Sequence, residues 1–258
     1  MKLFALLAAN IAVIAQDATD TVAADDVCYS NGEEVACNGL ARAGRGNAAD
    51  DGDRIMGTER RYVDLKEISK KIWKLNGNVG KDRFDERKFW AYGCHCYLLG
   101  DRPLSEMGQG APKDGLDNKC KAYKDCQKCV REKHGNECIG EFKKYTWKYA
   151  GRRGVFESQD SEGSCERELF ECDLQFAKDS LTAKDTFNEE YHAFWSTLPN
   201  GFDNRDPDNC PSNGGIPVEH QCCGGYDRAY HWIGLNKNQC CSASDGLSGI
   251  VKPADQSC

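Results

Sequence analysis

Sixteen cysteines in 258 residues constrain this chain more than any other feature. The number is even, so every thiol can be paired, and such a density suits an oxidising compartment where disulfides persist. The N-terminus fits that route. Met1-Lys2 is a short basic start and Leu3 to Ala9 is apolar. Val13 and Ala15 put small residues at the −3 and −1 positions of a signal-peptidase site. Residues 1–15 are therefore expected to be a signal peptide, and the product soluble, extracellular and oxidised. No later apolar run approaches the roughly 20 residues that span a bilayer. No Asn-x-Ser/Thr acceptor for N-glycosylation occurs. Cys126-x-x-Cys129 has the spacing of a zinc or redox motif, but in a secreted, cysteine-dense chain the disulfide reading outweighs it.

The formal charge of −7 hides three blocks. Residues 16–60 hold four Lys/Arg against ten Asp/Glu, residues 61–150 twenty against thirteen, and residues 151–258 nine against eighteen. A basic middle between acidic flanks is either a solvated surface or a means of docking acid on base, within the chain or between copies. A secreted, net acidic chain is a poor match to nucleic acid.

Residues 16–61 read as an acidic extension without apolar periodicity, which argues against a packed core there. Cys28 and Cys37 are expected to close a small loop on each other, and Arg60-Arg61 to open the next helix rather than mark a processing site. From Tyr62, apolar Leu65, Ile68, Ile72 and Leu75 recur at helical spacing with Lys66, Lys70, Lys71 and Lys74 between them, and Gly77 stops the run. A second helix is expected from Asp114, a fair N-cap, to about Lys133. A small hairpin is expected around Glu141–Tyr149 and Gly154–Ser158, and a third helix from Cys165 to about Thr182.

Two stretches carry the chemistry. Tyr92-Gly93-Cys94-His95-Cys96 runs through Gly108-Gln109-Gly110-Ala111-Pro112 into the helix that holds Asp117, Cys120, Tyr123, Lys124 and Cys126. The third helix reads Cys165-Glu166-Arg167-Glu168-Leu169-Phe170-Glu171-Cys172-Asp173-Leu174-Gln175-Phe176-Ala177. This layout resembles the secreted phospholipase A2 family. There a Tyr-Gly-Cys-x-Cys-Gly calcium loop leads to Leu-Asp-x-Cys-Cys-x-x-His-Asp-x-Cys, and a later helix reads Cys-Glu-x-x-x-Cys-x-Cys-Asp-x-x-x-Ala. The resemblance covers about residues 62–182. It implies a mainly α, disulfide-rich domain over residues 62–183, with an N-terminal helix, two antiparallel disulfide-linked helices and a small β-hairpin.

The resemblance implies the bridges Cys96–Cys120, Cys126–Cys172 and Cys138–Cys165, and a partner for Cys94 near the C-terminus. In the family a second bridge joins the two long helices at the positions of Lys119 and Asp179. Facing positions of antiparallel helices keep a constant index sum, which Cys126 with Cys172 shares with Lys119 and Asp179. An ion pair is expected where that bridge would be, contributing at most about 1 kcal/mol when exposed against about 2–4 kcal/mol for a disulfide. Phe170 stands at a further family cysteine.

Phospholipase A2 chemistry needs a neutral histidine as general base, an aspartate that orients it, and a calcium ion held by loop carbonyls and a second aspartate. Asp173 matches the orienting aspartate, but Tyr123 stands at the histidine and Lys124 at the calcium aspartate. A phenol with a pKa near 10 is a poor base at neutral pH and would rather donate to Asp173. Lys124 removes a ligand and adds a repelling charge; some snake-venom members with lysine there are regarded as inert. In the loop, His95 and Tyr97 stand at degenerate calcium positions, Tyr97 replacing a glycine. Fifteen residues separate Cys96 from Pro112, about twice the family's span, and include Leu98, Leu99, Asp101 and Glu106. No catalytic residue and no calcium or other cofactor is therefore expected, and His95 reads as a structural or surface histidine.

Lys143, Lys144, Tyr145, Trp147, Lys148, Arg152 and Arg153 combine cations with amphipathic rings. They are the candidates for binding an anionic lipid surface or an acidic extracellular partner, against the plainer reading of a half-buried hairpin. Residues 184–258 hold an aromatic run, Phe187, Tyr191, Phe194 and Trp195, at helical spacing, expected to pack onto the preceding domain. They then hold Cys210, Cys222-Cys223, Cys240-Cys241 and Cys258, which read as one small cysteine-rich module. Six cysteines allow fifteen pairings, so its connectivity stays open. The whole reads as a non-catalytic extracellular binding or matrix protein, with self-association through that module as one possibility. The alternatives are a calcium-dependent phospholipase A2 and a membrane-perturbing, toxin-like homologue.

Overall fold

The computed structural model describes residues 26–35, 37, 63–97, 108–140, 143–151, 153–199, 201–212 and 217–258. The expected signal peptide, most of the acidic extension, Arg60-Arg61, Arg152 and the inserted loop residues Leu98, Leu99, Asp101 and Glu106 lie outside them. No helix among the described residues is long and apolar enough to cross a membrane.

Three helices form the frame. Helix α1 (Val63–Leu75) buries Leu65, Ile68 and Ile72 of the expected stripe together with Trp73, while Leu75 at its end is 46% exposed. Helix α2 (Gly115–His134) is capped by Asp114, whose carboxylate accepts from Asp117 N at 2.8 Å. Helix α3 (Cys165–Thr182) is capped by Ser164, which accepts from Arg167 N. The bridge Cys126–Cys172 joins α2 to α3. Further along the same pair of helices, Lys119 Nζ lies 3.7 Å from Asp179 Oδ2, both half-exposed. Cys96–Cys120 ties α2 to the loop before it, and Cys138–Cys165 ties the end of α2 to the start of α3.

The acidic extension does not stay outside the core. Strands β1 (Asp26–Ser30) and β2 (Glu33–Val35) form a hairpin that joins β3 (Thr146–Ala150) and β4 (Val155–Ser158) in an antiparallel sheet of order β2-β1-β3-β4. Asn31 and Gly32 both have positive φ, 54° and 74°, the geometry that an Asn-Gly hairpin turn favours. Asp64, in the first turn of α1, clamps this turn. Its carboxylate accepts from Asn31 N at 3.0 Å, Gly32 N at 2.9 Å and Trp147 Nε1 at 2.9 Å. Tyr29 stacks on Trp147 with centroids 4.5 Å apart. The hydrophobic periodicity of 16–61 is weak because a strand pair this short needs only Val27, Cys28 and Tyr29 to anchor it. Cys28 is bonded to Cys37.

The C-terminal region is two hairpins, β5 (His220–Gly225) with β6 (Arg228–Gly234), and β7 (Asn238–Ser242) with β8 (Gly249–Pro253). Eight short strands in small antiparallel sheets accompany the three helices among the described residues. The six late cysteines are not one closed module. Cys223–Cys240 and Cys241–Cys258 are internal, but Cys210 bonds Cys94 and Cys222 bonds Cys129. Strand β6 lies against α2 and α3. Buried Glu168 of α3 holds Lys133 Nζ at 2.6 Å, His134 Nε2 at 2.7 Å and Tyr226 N at 2.8 Å in one cluster. The aromatic run is irregular, with short 3₁₀ turns at Lys184–Thr186 and Glu189–Tyr191 in place of a helix. Phe187 stacks on Tyr92 at 4.9 Å, so the run packs on the helical domain, though Phe194 stays 65% exposed.

Candidate functional site

The two halves of the motif meet between α2 and α3. Tyr123 is buried, stacks on Phe176 and donates its hydroxyl to Asp173 Oδ1 at 2.6 Å. Tyr145 donates to the other oxygen of the same carboxylate. Gln127 Nε2 donates to the Tyr123 oxygen at 2.8 Å. Burial, with the Asp173 charge added, pushes the Tyr145 phenol well above its usual range. Both oxygens of the carboxylate that would orient a base are thus committed to phenols, and a phenol that donates its proton here accepts none from water.

The loop beside it is built on Asp117. This wholly buried carboxylate accepts from Cys94 N at 2.8 Å, His95 N at 2.7 Å and Lys113 N at 2.8 Å. Gly93 crosses it so closely, at φ 56°, that a Cβ there would fall 2.3 Å from Asp117 Cγ. Lys124 points into the same place. A Cβ built on Gly108 would lie 2.9 Å from Lys124 Nζ, 2.8 Å from the Cys94 carbonyl oxygen and 2.5 Å from His95 Nδ1, so the ammonium, a loop carbonyl and the imidazole converge there. His95 Nε2 is 3.1 Å from the Gly110 oxygen. A carbonyl only accepts, so Nε2 carries the proton and His95 is a buried structural histidine. Burial lowers its pKa, against the pull of Asp117.

A calcium ion needs six to eight oxygen ligands. Here an ammonium stands beside the loop carbonyl, and the nearest carboxylate is spent on three backbone amides. Among the described residues no three His, Cys, Asp or Glu side chains are grouped to hold a metal. Lys124, His95 and half-buried Tyr97 therefore do not fit the family's ion.

Burial also pushes the Lys124 ammonium down to about 7, opposed first by Asp117. Its ordinary value is 10.5, so between about pH 7 and 10.5 the unfolded chain binds the extra proton. Stability contributed by this site therefore rises with pH across that window, and the full burial penalty applies below it. Lys124→Met should be more stable than the parent at neutral pH, with the difference shrinking towards pH 10. Urea titrations of both proteins at several pH values read this directly; a difference independent of pH would contradict it.

The basic aromatic stretch does not form one binding face. Trp147, on the central strand β3, packs on Tyr29 and Asp64, and Tyr145, just before the strand, packs on Phe170 and Asp173, so both are buried. Lys148 is held between Asp26 Oδ2 at 3.3 Å and Glu157 Oε2 at 3.2 Å. Lys143, Lys144 and Arg153 remain exposed. The roles of Asp117, Asp64 and Tyr145 were missed by sequence reasoning. For the first hairpin a signal existed in Asn31-Gly32; for Asp117 it lay in the Leu-Asp of the family's helix motif, which Leu116-Asp117 matches.

No family profile matches the chain. Single relatives do match. Over 107 residues it is 31% identical to group IID secretory phospholipase A2 of Mus musculus, covering 42% of this chain and 65% of that protein. Over 108 residues it is 32% identical to a phospholipase A2 of Calliactis polypus, covering 42% and 60%. Over 104 residues it is 30% identical to the basic phospholipase A2 homolog LmutTX of Lachesis muta muta, covering 40% of this chain and 73% of that protein. The chain belongs to the secreted phospholipase A2 family. The family name covers both proteins called phospholipases and proteins called phospholipase A2 homologs, as LmutTX and MjTX-I of Bothrops moojeni are. The chain spans less than two thirds of the two phospholipases just compared, and their match takes in well under half of it. Family membership therefore accounts for the disulfide-rich helical frame and leaves catalysis to be argued from Tyr123, Lys124 and Asp173.

Proposed function

We propose that this is an extracellular, non-catalytic phospholipase A2-like protein that acts by binding. One observation carries the reading: the Tyr123 hydroxyl donates to Asp173 at 2.6 Å while the Lys124 ammonium occupies the loop where a divalent cation would act. The family's histidine base is lost and the carboxylate that would orient it is satisfied by other donors, so the family's route for taking a proton from water is missing. Eight disulfides that use all sixteen cysteines support an oxidising, extracellular setting. An anionic lipid or acidic extracellular partner suits the basic middle of the chain. The test is fatty-acid release from mixed anionic vesicles by the purified protein, with calcium and with chelator. No release above blank is expected. Calcium-dependent release that vanishes in Asp173→Asn would overturn the reading.

A further inference from the structure

The ring of His192 is 1% exposed, although the chain just after it reaches the surface, with Phe194 65% and Leu198 46% exposed. Both ring nitrogens are engaged. Nε2 lies 2.8 Å from the Arg87 carbonyl oxygen, which only accepts, so Nε2 carries a proton. Nδ1 accepts from Phe194 N at 3.1 Å, so it carries none. The two bonds together require the neutral ring in one tautomer. The first ties the ring to the 3₁₀ turn Glu86–Phe89; the second sets the corner that follows. Ala193 N donates to Ala91 O at 3.0 Å, so the chain is anchored up to that point. Beyond it, the Trp195 ring stacks on His192 at 4.4 Å and meets Phe187 edge-on at 5.8 Å.

We propose that His192 is an acid-sensitive latch: its neutral ring holds the corner Phe194–Leu198 on the frame, and protonation of Nδ1 releases it. An Nδ1–H would face the Phe194 N–H, two donors with no acceptor between them, and would place a charge inside an aromatic cluster. Release adds Trp195 to Phe194 and Leu198, an apolar surface formed only in acid. The inference stands independently of the binding reading above.

The charges around the ring do not rescue the imidazolium. Burial lowers the pKa of the ring from its ordinary 6.5, against the Arg87 carbonyl and the Glu189 carboxylate on the preceding turn. The acids of the packed elements have other partners. Glu190 accepts from Thr197, Asp85 holds Arg87, Glu86 holds Lys66, and Asp114 takes the hydroxyl of Tyr92. Trp195 already has the Arg87 guanidinium 6.0 Å from its centroid, and Lys88 lies 5.0 Å from that of Phe187, so a further cation is opposed there. A released ring titrates near its ordinary value. The latch therefore holds fully above about pH 6.5 and is lost as pH falls through the lower value of the held ring.

The test follows hydrogen exchange of the Phe194 amide in the full mature protein by NMR, from about pH 7.5 to about pH 4.5, corrected for the intrinsic pH dependence of exchange. The Ile68 amide in helix α1 is the internal reference, and the His192 ring is titrated in the same samples. The comparison is His192→Gln, whose amide offers a donor and an acceptor but takes up no proton. The expected result is at least a tenfold loss of protection at Phe194, with a midpoint that coincides with that of the His192 ring, while Ile68 stays protected. In His192→Gln the loss disappears. Should that variant not fold, the coincidence of the two midpoints in the parent carries the test. Four outcomes overturn the proposal: unchanged protection of Phe194 in the parent, an equal loss at Ile68, a midpoint apart from that of His192, or the same loss in a folded His192→Gln.

Discussion

Asp117→Ala is expected to lower the unfolding free energy by about 3–5 kcal/mol. The estimate follows from leaving buried donors unsatisfied at about 1–3 kcal/mol each, less what relaxation recovers. The three donors are the amides of Cys94, His95 and Lys113, all within 2.8 Å of the carboxylate. Asp117→Asn keeps the shape but places an NH₂ against at least one of those amides, so it too should destabilise, by less. Urea unfolding of the parent and both variants measures the series. A cost below about 1 kcal/mol for the alanine variant would mean that the two disulfides of the loop, Cys94–Cys210 and Cys96–Cys120, hold it without the carboxylate.

Trp147→Ala is expected to cost a similar amount, about 3–5 kcal/mol, as for large aromatic side chains removed from a packed core. Trp147 is fully buried, stacks on Tyr29 and donates to Asp64, so its loss opens a cavity between the sheet and α1 and loosens the first hairpin. The outcome separates two roles for the residue. A core tryptophan gives a large drop in melting temperature. A surface anchor for lipid would leave stability unchanged and weaken binding alone, which would contradict the packing described here.

The helices were legible because their signals are redundant. In α3, Cys165, Cys172 and Asp173 fall at spacings that name both the helix and its neighbour, and in α2 Asp114 marks the start as well. The exchange of a bridge for Lys119 and Asp179 was readable because helical geometry fixes which positions face each other. The first hairpin was hidden by its acidic surroundings, since composition averaged over residues 16–61 drowned a turn written in two residues, Asn31-Gly32. Trp147 and Tyr145 misled because aromatic rings next to lysines look alike on a surface and in a core; only the packing of Trp147 against Asp64 of α1 and of Tyr145 against Phe170 and Asp173 of α3 decides which. The Cys129–Cys222 bridge depends on how the C-terminal hairpins fold over α2, and Cys94–Cys210 on how the segment before those hairpins meets the loop, long-range facts that spacing does not encode. At the candidate site the substitutions at Tyr123 and Lys124 could be read directly, whereas the convergence of Lys124, His95 and Cys94 on Gly108 needed coordinates.

The measurement that tests the central claim most directly is a calcium titration of the mature protein by calorimetry, with melting temperature followed in parallel. The ammonium of Lys124 and the satisfied carboxylate of Asp117 predict no saturable heat and no rise in melting temperature at millimolar calcium. Binding of one ion per chain with a matching rise in stability, lost in a variant of the 92–97 loop, would contradict the account and return the chain to the calcium-dependent enzymes.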